Sequence, residues 1–167
     1  MKKLVLSFAL IFSLAFLFGQ SQPVMHSVFI YSFTRFVQWP PEESTGDFEI
    51  VVVGDSPILT ELKSMSEKKK APNNRTIHIT RIASAADFKK GHILYLPAEL
   101  TSKYSEIAAK VGDGPTLLVT DQAPATSKGC INFVMKDGKL AFEMNQALMG
   151  KHKLRASAEL SRLAIIN

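Results

Sequence analysis

Four histidines, one cysteine and a scatter of carboxylates are the residues in this chain that could do chemistry. His26, His78, His92 and His152 show no pair spaced three or four apart, and none sits beside a Cys or carboxylate in a metal-ligand motif. His78 and His92 fall on segments that could lie side by side, which leaves a close approach open. Cys130 begins an apolar run with no base near it in sequence, the setting of a small buried hydrophobe rather than a nucleophile. No Gly-x-Ser-x-Gly, phosphate loop or dinucleotide fingerprint occurs, and Gly112-Asp113-Gly114-Pro115 precedes a strand pattern rather than a helix. No catalytic set, no metal site and no cofactor is expected. An unrecognised hydrolase is the remote alternative.

What remains is a pair of polar junctions. Asp55 and Ser56 follow one strand pattern and Asp121 ends another. In an open α/β sheet ligands sit at such carboxyl ends, so Asp55, Ser56 and Asp121 are the candidate ligand-binding residues. The competing expectation is that Ser56 caps the next helix, with Pro57 at its first position. Asn132, Glu143 and Asn145 form a second polar group around a hairpin pattern. Structural hydrogen bonding is their expected role, with Asn145 capping the turn that follows.

These residues must be positioned by regular elements. Val24 to Trp39 has helical periodicity: Met25, Phe29, Ile30, Phe33, Phe36 and Val37 fall on one arc, and His26, Ser27, Tyr31, Thr34, Arg35 and Gln38 on the other. Pro40-Pro41 ends it. Tyr31 on the polar arc and Trp39 at the end are candidate partner-binding residues, because Tyr and Trp often anchor interfaces. Phe48–Val53, His92–Leu96 and Thr116–Thr120 read as strands, the first buried on both faces. Arg75–Ile82 alternates like a half-buried strand near a sheet edge. Helical patterns run from Ile58 to about Lys69, from Glu99 to Val111 and from Leu154 to Ile166. Cys130–Lys136 and Lys139–Met144 flank Asp137-Gly138, a strong hairpin signal. The order predicts an α/β three-layer sandwich with a mainly parallel sheet, a C-terminal antiparallel β-hairpin and helices on both faces.

Composition agrees with one folded domain. The 167 residues are 46% apolar and 21% charged, with too few breakers for a low-complexity or disordered chain. Lys2-Lys3 and the apolar run Leu4–Phe18 read as a signal peptide over residues 1–20, leaving a single domain at 21–167. The run falls short of the roughly 18–20 residues that span a bilayer, although a retained anchor is the rival reading. No cysteine near the N-terminus could carry a lipid, so a lipoprotein is not expected. Loss of Lys2 and Lys3 lowers a formal charge of only +5, and Lys68-Lys69-Lys70 reads as a solvated helix end, so nucleic acid is not an expected partner.

Six segments, in order, resemble the YfiR family of exported bacterial proteins. Val28 to Pro40 is similar to the family's helix ending in F-x-x-W-P. Gly54-Asp55-Ser56-Pro57 is similar to G-D-x-P, and His92-Ile93-Leu94-Tyr95 to C-H-I-L-F. Gly129 to Val134 is similar to G-M-I-N-F, Leu140 to Asn145 to V-x-F-E-I-N, and Leu154 to Ala164 to L-x-x-S-x-x-L-L-x-L-A. The resemblance implies a periplasmic, non-enzymatic regulator that binds the periplasmic part of a membrane-bound signalling protein, a diguanylate cyclase or sensor kinase. It also implies a possible homodimer. An exported solute-binding or envelope accessory domain is the alternative, its small-molecule ligand unknown. Gly91 stands where the family often has Cys and Cys130 where it often has Met, so the redox-linked disulfides of some members cannot form within this chain.

Overall fold

The computed structural model describes residues 22–166. The signal-peptide assignment over residues 1–20 lies outside them. The elements are α1 (Gln22–Phe36), β1 (Val37–Gln38), β2 (Phe48–Val53), α2 (Ile58–Lys68), β3 (Ile77–Ile82), β4 (Ile93–Leu96), α3 (Tyr104–Val111), β5 (Leu117–Asp121), β6 (Ile131–Lys136), β7 (Lys139–Met144), α4 (Gln146–Lys151), β8 (Arg155–Ala156), α5 (Ala158–Leu163) and β9 (Ile165–Ile166). Seven strands form one sheet in the order β3-β2-β4-β5-β6-β7-β9. All pairs are parallel except the β6–β7 hairpin. The expected α/β sandwich is therefore the fold.

Alternation of side chains divides the interior into two clusters. Phe48, Ile50 and Val52 of β2, Ile93 and Tyr95 of β4, Val119 of β5 and Phe133 of β6 face a first layer made by α1, α2, α4 and α5. Val51, Val53, Leu94, Leu96 and Leu118 face a thinner second layer, where α3 contributes Ile107 and Val111 and the β3–β4 connection contributes Phe88. Strands β2, β4 and β5 are thus buried on both sides, which is why Ile50–Val53, Ile93–Leu96 and Leu117–Val119 are continuous apolar runs. β3 is the sheet edge; Ile77 and Ile79 face the first layer with His78 and Thr80 exposed between and after them, but the alternation ends at exposed Arg81, and Ile82 is buried in the second layer instead.

Several boundaries differ from the expected ones. α1 stops at Phe36, because Val37 and Gln38 pair antiparallel with Ala156 and Arg155 of β8. The polar arc of α1 is not all outward: His26, Ser27 and Thr34 are buried. The two hydroxyls return a hydrogen bond to their own helix, Ser27 to the Val24 carbonyl at 2.7 Å and Thr34 to the Tyr31 carbonyl at 2.7 Å, so they can face the sheet without an unmet donor. The expected C-terminal helix is broken into β8, α5 and β9. Ser157 caps α5, accepting from the Leu160 N–H at 3.2 Å, and Ile165–Ile166 join the sheet beside β7. Ser56 does not cap α2 with its side chain; only its carbonyl engages, accepting from the Leu59 N–H at 3.0 Å. Among the described residues no helix is long and apolar enough to cross a membrane.

The β6–β7 turn has φ of 51° at Asp137 and 72° at Gly138, the positive pair of a primed hairpin turn. A Cβ at Gly138 would meet nothing within 4 Å, so any penalty there is backbone strain alone. Gly138→Val should cost about 1–3 kcal/mol in urea unfolding. Gly150, in α4 with equally open space and no positive φ, is the control: Gly150→Ala should be neutral or stabilising by up to about 1 kcal/mol.

Candidate functional site

The carboxyl ends of β4 and β5 lie beneath the N-terminal turns of α1 and α2, and a crevice of about 130 Å³ opens between them. Asp121, Ser56, Tyr95 and His26 line it, with Glu99 at its rim. Of the three expected ligand-binding residues the structure brings two together. Asp55 turns away to the sheet edge, where its carboxylate takes both arms of the Arg81 guanidinium, at 2.6 Å (Oδ1–Nε) and 2.9 Å (Oδ2–Nη2). The expected Asp55–Asp121 pairing across one crevice is therefore corrected to Ser56 and Asp121. The reason is register: Arg81 of β3 lies opposite Val52 of β2, which brings its side chain to Asp55, two residues past the strand end.

His26 is the residue that sequence periodicity missed. It lies on the inner arc of α1, stacked on Phe133 at 4.4 Å between ring centroids. The Tyr95 hydroxyl donates to Asp121 Oδ2 at 3.1 Å and lies 3.5 Å from His26 Nδ1. With the Tyr95 proton committed to Asp121, His26 can turn a proton either from Nδ1 to the Tyr95 oxygen or from Nε2 toward the Asp121 carboxylate. Nε2 lies 3.8 Å from Asp121 Oδ1. Both of these atoms are buried with no hydrogen-bond partner. Burial lowers the His26 pKa, although Asp121 opposes the shift. Burial raises that of Asp121, although His26, Tyr95 and the nearby Gln122 side chain oppose it.

The second polar group lies on the other side of the sheet. β5 returns to the parallel strand β6 through residues 122–130, a crossover with no α-helix. Side chains hold it down. Asn132 Oδ1 accepts from Thr120 Oγ1 at 2.9 Å and from the Ala123 N–H at 3.0 Å. Thr120 Oγ1 accepts in turn from the Gly129 N–H at 3.1 Å. Asn132 Nδ2 donates to Glu143 Oε2 at 2.9 Å, and Lys128 Nζ lies 2.7 Å from the same oxygen. Asn145 Oδ1 accepts from the Leu148 N–H at 2.9 Å and caps α4. Asn132→Ala should leave the Ala123 amide unmet, while the Thr120 hydroxyl keeps the Ile131 carbonyl at 3.3 Å, and cost about 1–3 kcal/mol by denaturant melting.

The remaining sequence candidates are placed apart. Tyr31 is half-buried; its hydroxyl donates to the Lys70 carbonyl at 3.4 Å, and Lys69 Nζ lies 5.9 Å from its ring centroid. Trp39 follows β1 rather than closing the helix, and its ring meets Phe48 edge-on at 5.1 Å. Cys130 is fully buried, its thiol pushed up to about 11 by desolvation. His78 and His92 do not meet, because β2 lies between β3 and β4; His78 pairs with Asp47 at 3.0 Å instead. Among the described residues no group of three His, Cys, Asp or Glu could hold a metal ion.

His92 stacks on Phe48 and accepts from the Glu49 N–H at Nδ1, 3.0 Å. Its proton therefore sits on Nε2, 3.2 Å from the Glu43 carbonyl, while Arg75 Nη2 lies 2.9 Å from the same nitrogen. Burial, and then the Arg75 charge, lower its pKa; Glu43 opposes this and Lys90 adds to it. The unfolded chain protonates near 6.5 while the folded chain resists, so stability is lost as pH falls through that value. His26 contributes in the same direction. Asp121, whose folded pKa is raised, acts oppositely at lower pH. Melting should weaken between pH 7.5 and 5.5, at most about 1.4 kcal/mol per pH unit per histidine. His92→Gln, which can keep both hydrogen bonds, should flatten that slope.

Fold and crevice together define a three-layer α/β domain whose polar groups gather at the carboxyl ends of its strands. The chain belongs to the YfiR/HmsC-like family, whose model matches residues 24–165. That span contains all six resembling segments. No curated protein matches the chain.

Proposed function

We propose that this is an exported regulatory domain that acts by binding, restraining a membrane-bound diguanylate cyclase or sensor kinase through that protein's periplasmic part. The observation that carries the reading is the family match over residues 24–165, which takes in every layer of the fold. The outer face of α1 is the proposed partner surface. Val28 is 52% exposed there, and Tyr31, Ser32 and Arg35 share the face at helical spacing. An apolar side chain and an aromatic ring beside a cation are the composition of a binding anchor. Trp39 is the lesser contributor, its ring being engaged with Phe48. A second reading, a solute-binding domain, is favoured by the unpaired His26 and Asp121 atoms in the crevice. The two are compatible, since a regulator can carry the ligand that sets its grip.

The test is affinity capture of the processed protein with detergent-solubilised membranes, together with cyclic di-GMP measurement in a strain lacking the gene. The expected result is capture of a membrane protein with a periplasmic domain and a cyclase or kinase domain. For a cyclase partner, cyclic di-GMP should rise on deletion. Val28→Asp and Tyr31→Ala should weaken capture by about tenfold while melting changes little. No signalling protein captured and an unchanged nucleotide level would overturn the reading. Capture and melting falling together would return this helix face to a structural role.

A further inference from the structure

A cleft of about 240 Å³ opens at the other end of the sheet from Asp121, where the chain enters β4 and β5. Two segments wall it: Phe88 to Gly91 of the β3–β4 connection, and Lys110 to Thr116 between the end of α3 and β5. Phe88 and Val111 belong to the second layer, and with Pro115 they give the cleft an apolar side. Gly91 lets the first segment lie close to β2; a Cβ there would meet Val51 Cγ2 at 2.8 Å. Lys89, Lys90 and Lys110 line the same space. Lys90 Nζ pairs with Glu43 Oε2 at 2.9 Å. Neither Lys89 nor Lys110 has a carboxylate partner among the described residues. The dipole of α3 accounts for Lys110, in its last turn, but not for Lys89.

Charge and donor type define the occupant. Glu43 is the one carboxylate in the lining, so three ammoniums leave two positive charges unanswered. Like charges around a shared concavity repel, and an anion seated among them offsets the repulsion. No Arg lines the cleft, so no planar fork is offered to a carboxylate. Lysines on separate segments act as point charges, which suits a compact dianion with oxygens facing several ways. The Thr116 hydroxyl is spent on the Gly91 carbonyl at 2.7 Å, which leaves recognition to the ammoniums. A bare ion would leave the apolar side unused. From these features we infer that the cleft binds a small organic phosphomonoester, its phosphoryl oxygens accepting from Lys89 and Lys110 and its stem lying against Val111 and Pro115. The assignment rests on neither the membrane partner nor the Asp121 crevice, so either of those readings can fail without it.

The test uses the processed protein at low ionic strength, where charges on the surface are least screened. Phenyl phosphate is titrated while the backbone amides are followed by ¹⁵N NMR, with inorganic phosphate, benzoate and phenol as comparison probes. The expected result is a saturable shift confined to residues 88–91 and 110–116. Inorganic phosphate and benzoate should each bind about tenfold more weakly, and phenol should produce no saturable shift. Lys89→Gln and Lys110→Gln should each weaken phenyl phosphate about fivefold with melting unchanged, as loss of one charged hydrogen bond at an exposed site requires. Lys103→Gln, which removes an exposed lysine paired with Glu106 instead, should leave binding as it was. Equal losses in all three variants would mark diffuse charge attraction and overturn the proposal. So would no saturable shift, or inorganic phosphate binding as tightly as the ester. Phosphatidylcholine vesicles with and without phosphatidic acid carry the same phosphomonoester on a lipid. The expected result is no sedimentation of the protein with either. Sedimentation that needs phosphatidic acid and is lost in Lys89→Gln and Lys110→Gln would place the group on a lipid headgroup and overturn the small-molecule assignment.

Discussion

A parallel sheet whose central strands see no solvent must be covered twice, and that requirement governs the rest of this molecule. β2 and β4 carry buried side chains on both faces. Burying a Val, Ile or Leu yields roughly 1.5–3 kcal/mol only if the covering layer excludes water. On the first face this falls to the phenylalanines: Phe29 and Phe33 of α1 meet Phe133 and Phe142 of the hairpin at 5.5–6.0 Å. A helix so committed must also turn its next-best side chains inward, which is why Ser27, Thr34 and His26 are buried with it. On the second face the cover runs out beyond β5. There the sheet is closed by a loop, and Thr120, Asn132, Glu143 and Lys128 supply by hydrogen bonding what apolar contact does not.

Sequence patterns revealed the parts of this fold that local chemistry decides. The continuous β-branched run of β2, the alternation of β3 and the Asp137-Gly138 turn each depend on neighbours a few residues away. The parts that stayed hidden depend on distant ones. Nothing near Phe36 says that α1 should end there; the cause is Arg155–Ala156, more than a hundred residues on. The same pairing breaks the C-terminal helical pattern into two short strands and one short helix. Ser56 had the right type and place for a cap, but Pro57 already holds helical φ and ψ, so the turn forms without its hydroxyl.

The candidate site was half legible for the same reason. Asp121 and Ser56 could be found because the ends of strands can be found, and ligands gather there in open sheets. Asp55 was misplaced because its fate is set by Arg81, whose approach depends on the β2–β3 register. His26 gave a misleading signal. Its helical phase set it among outward residues such as Arg35, yet Phe133 stacks on it and Tyr95 orients it. A polar residue on a helix flank reads as solvent-facing until its partners, here 107 and 69 positions away, are known.

The crevice and the proposed partner face belong to one rigid element. His26 points into the sheet from α1, and Val28 and Tyr31 leave the opposite side of the same helix within about a turn and a half. A ligand seated in the crevice would touch Pro23 and His26 in the first turns of α1 and would favour the position of the helix that allows the contact. A partner gripping Val28 and Tyr31 binds that same position. Two ligands that favour one arrangement of a shared element must raise each other's affinity, and ligands that favour different arrangements must lower it. The sign depends on whether the helix seated on the sheet is also the helix the partner prefers. Its magnitude is limited by how far α1 can move, and Phe33, stacked with Phe133 and edge-on to Phe142, anchors its middle. Motion is therefore confined to the first turns of α1, where Gln22 and Pro23 line the crevice mouth. A regulator built this way would adjust its grip through a small displacement at one helix end rather than through a rearrangement of the sheet.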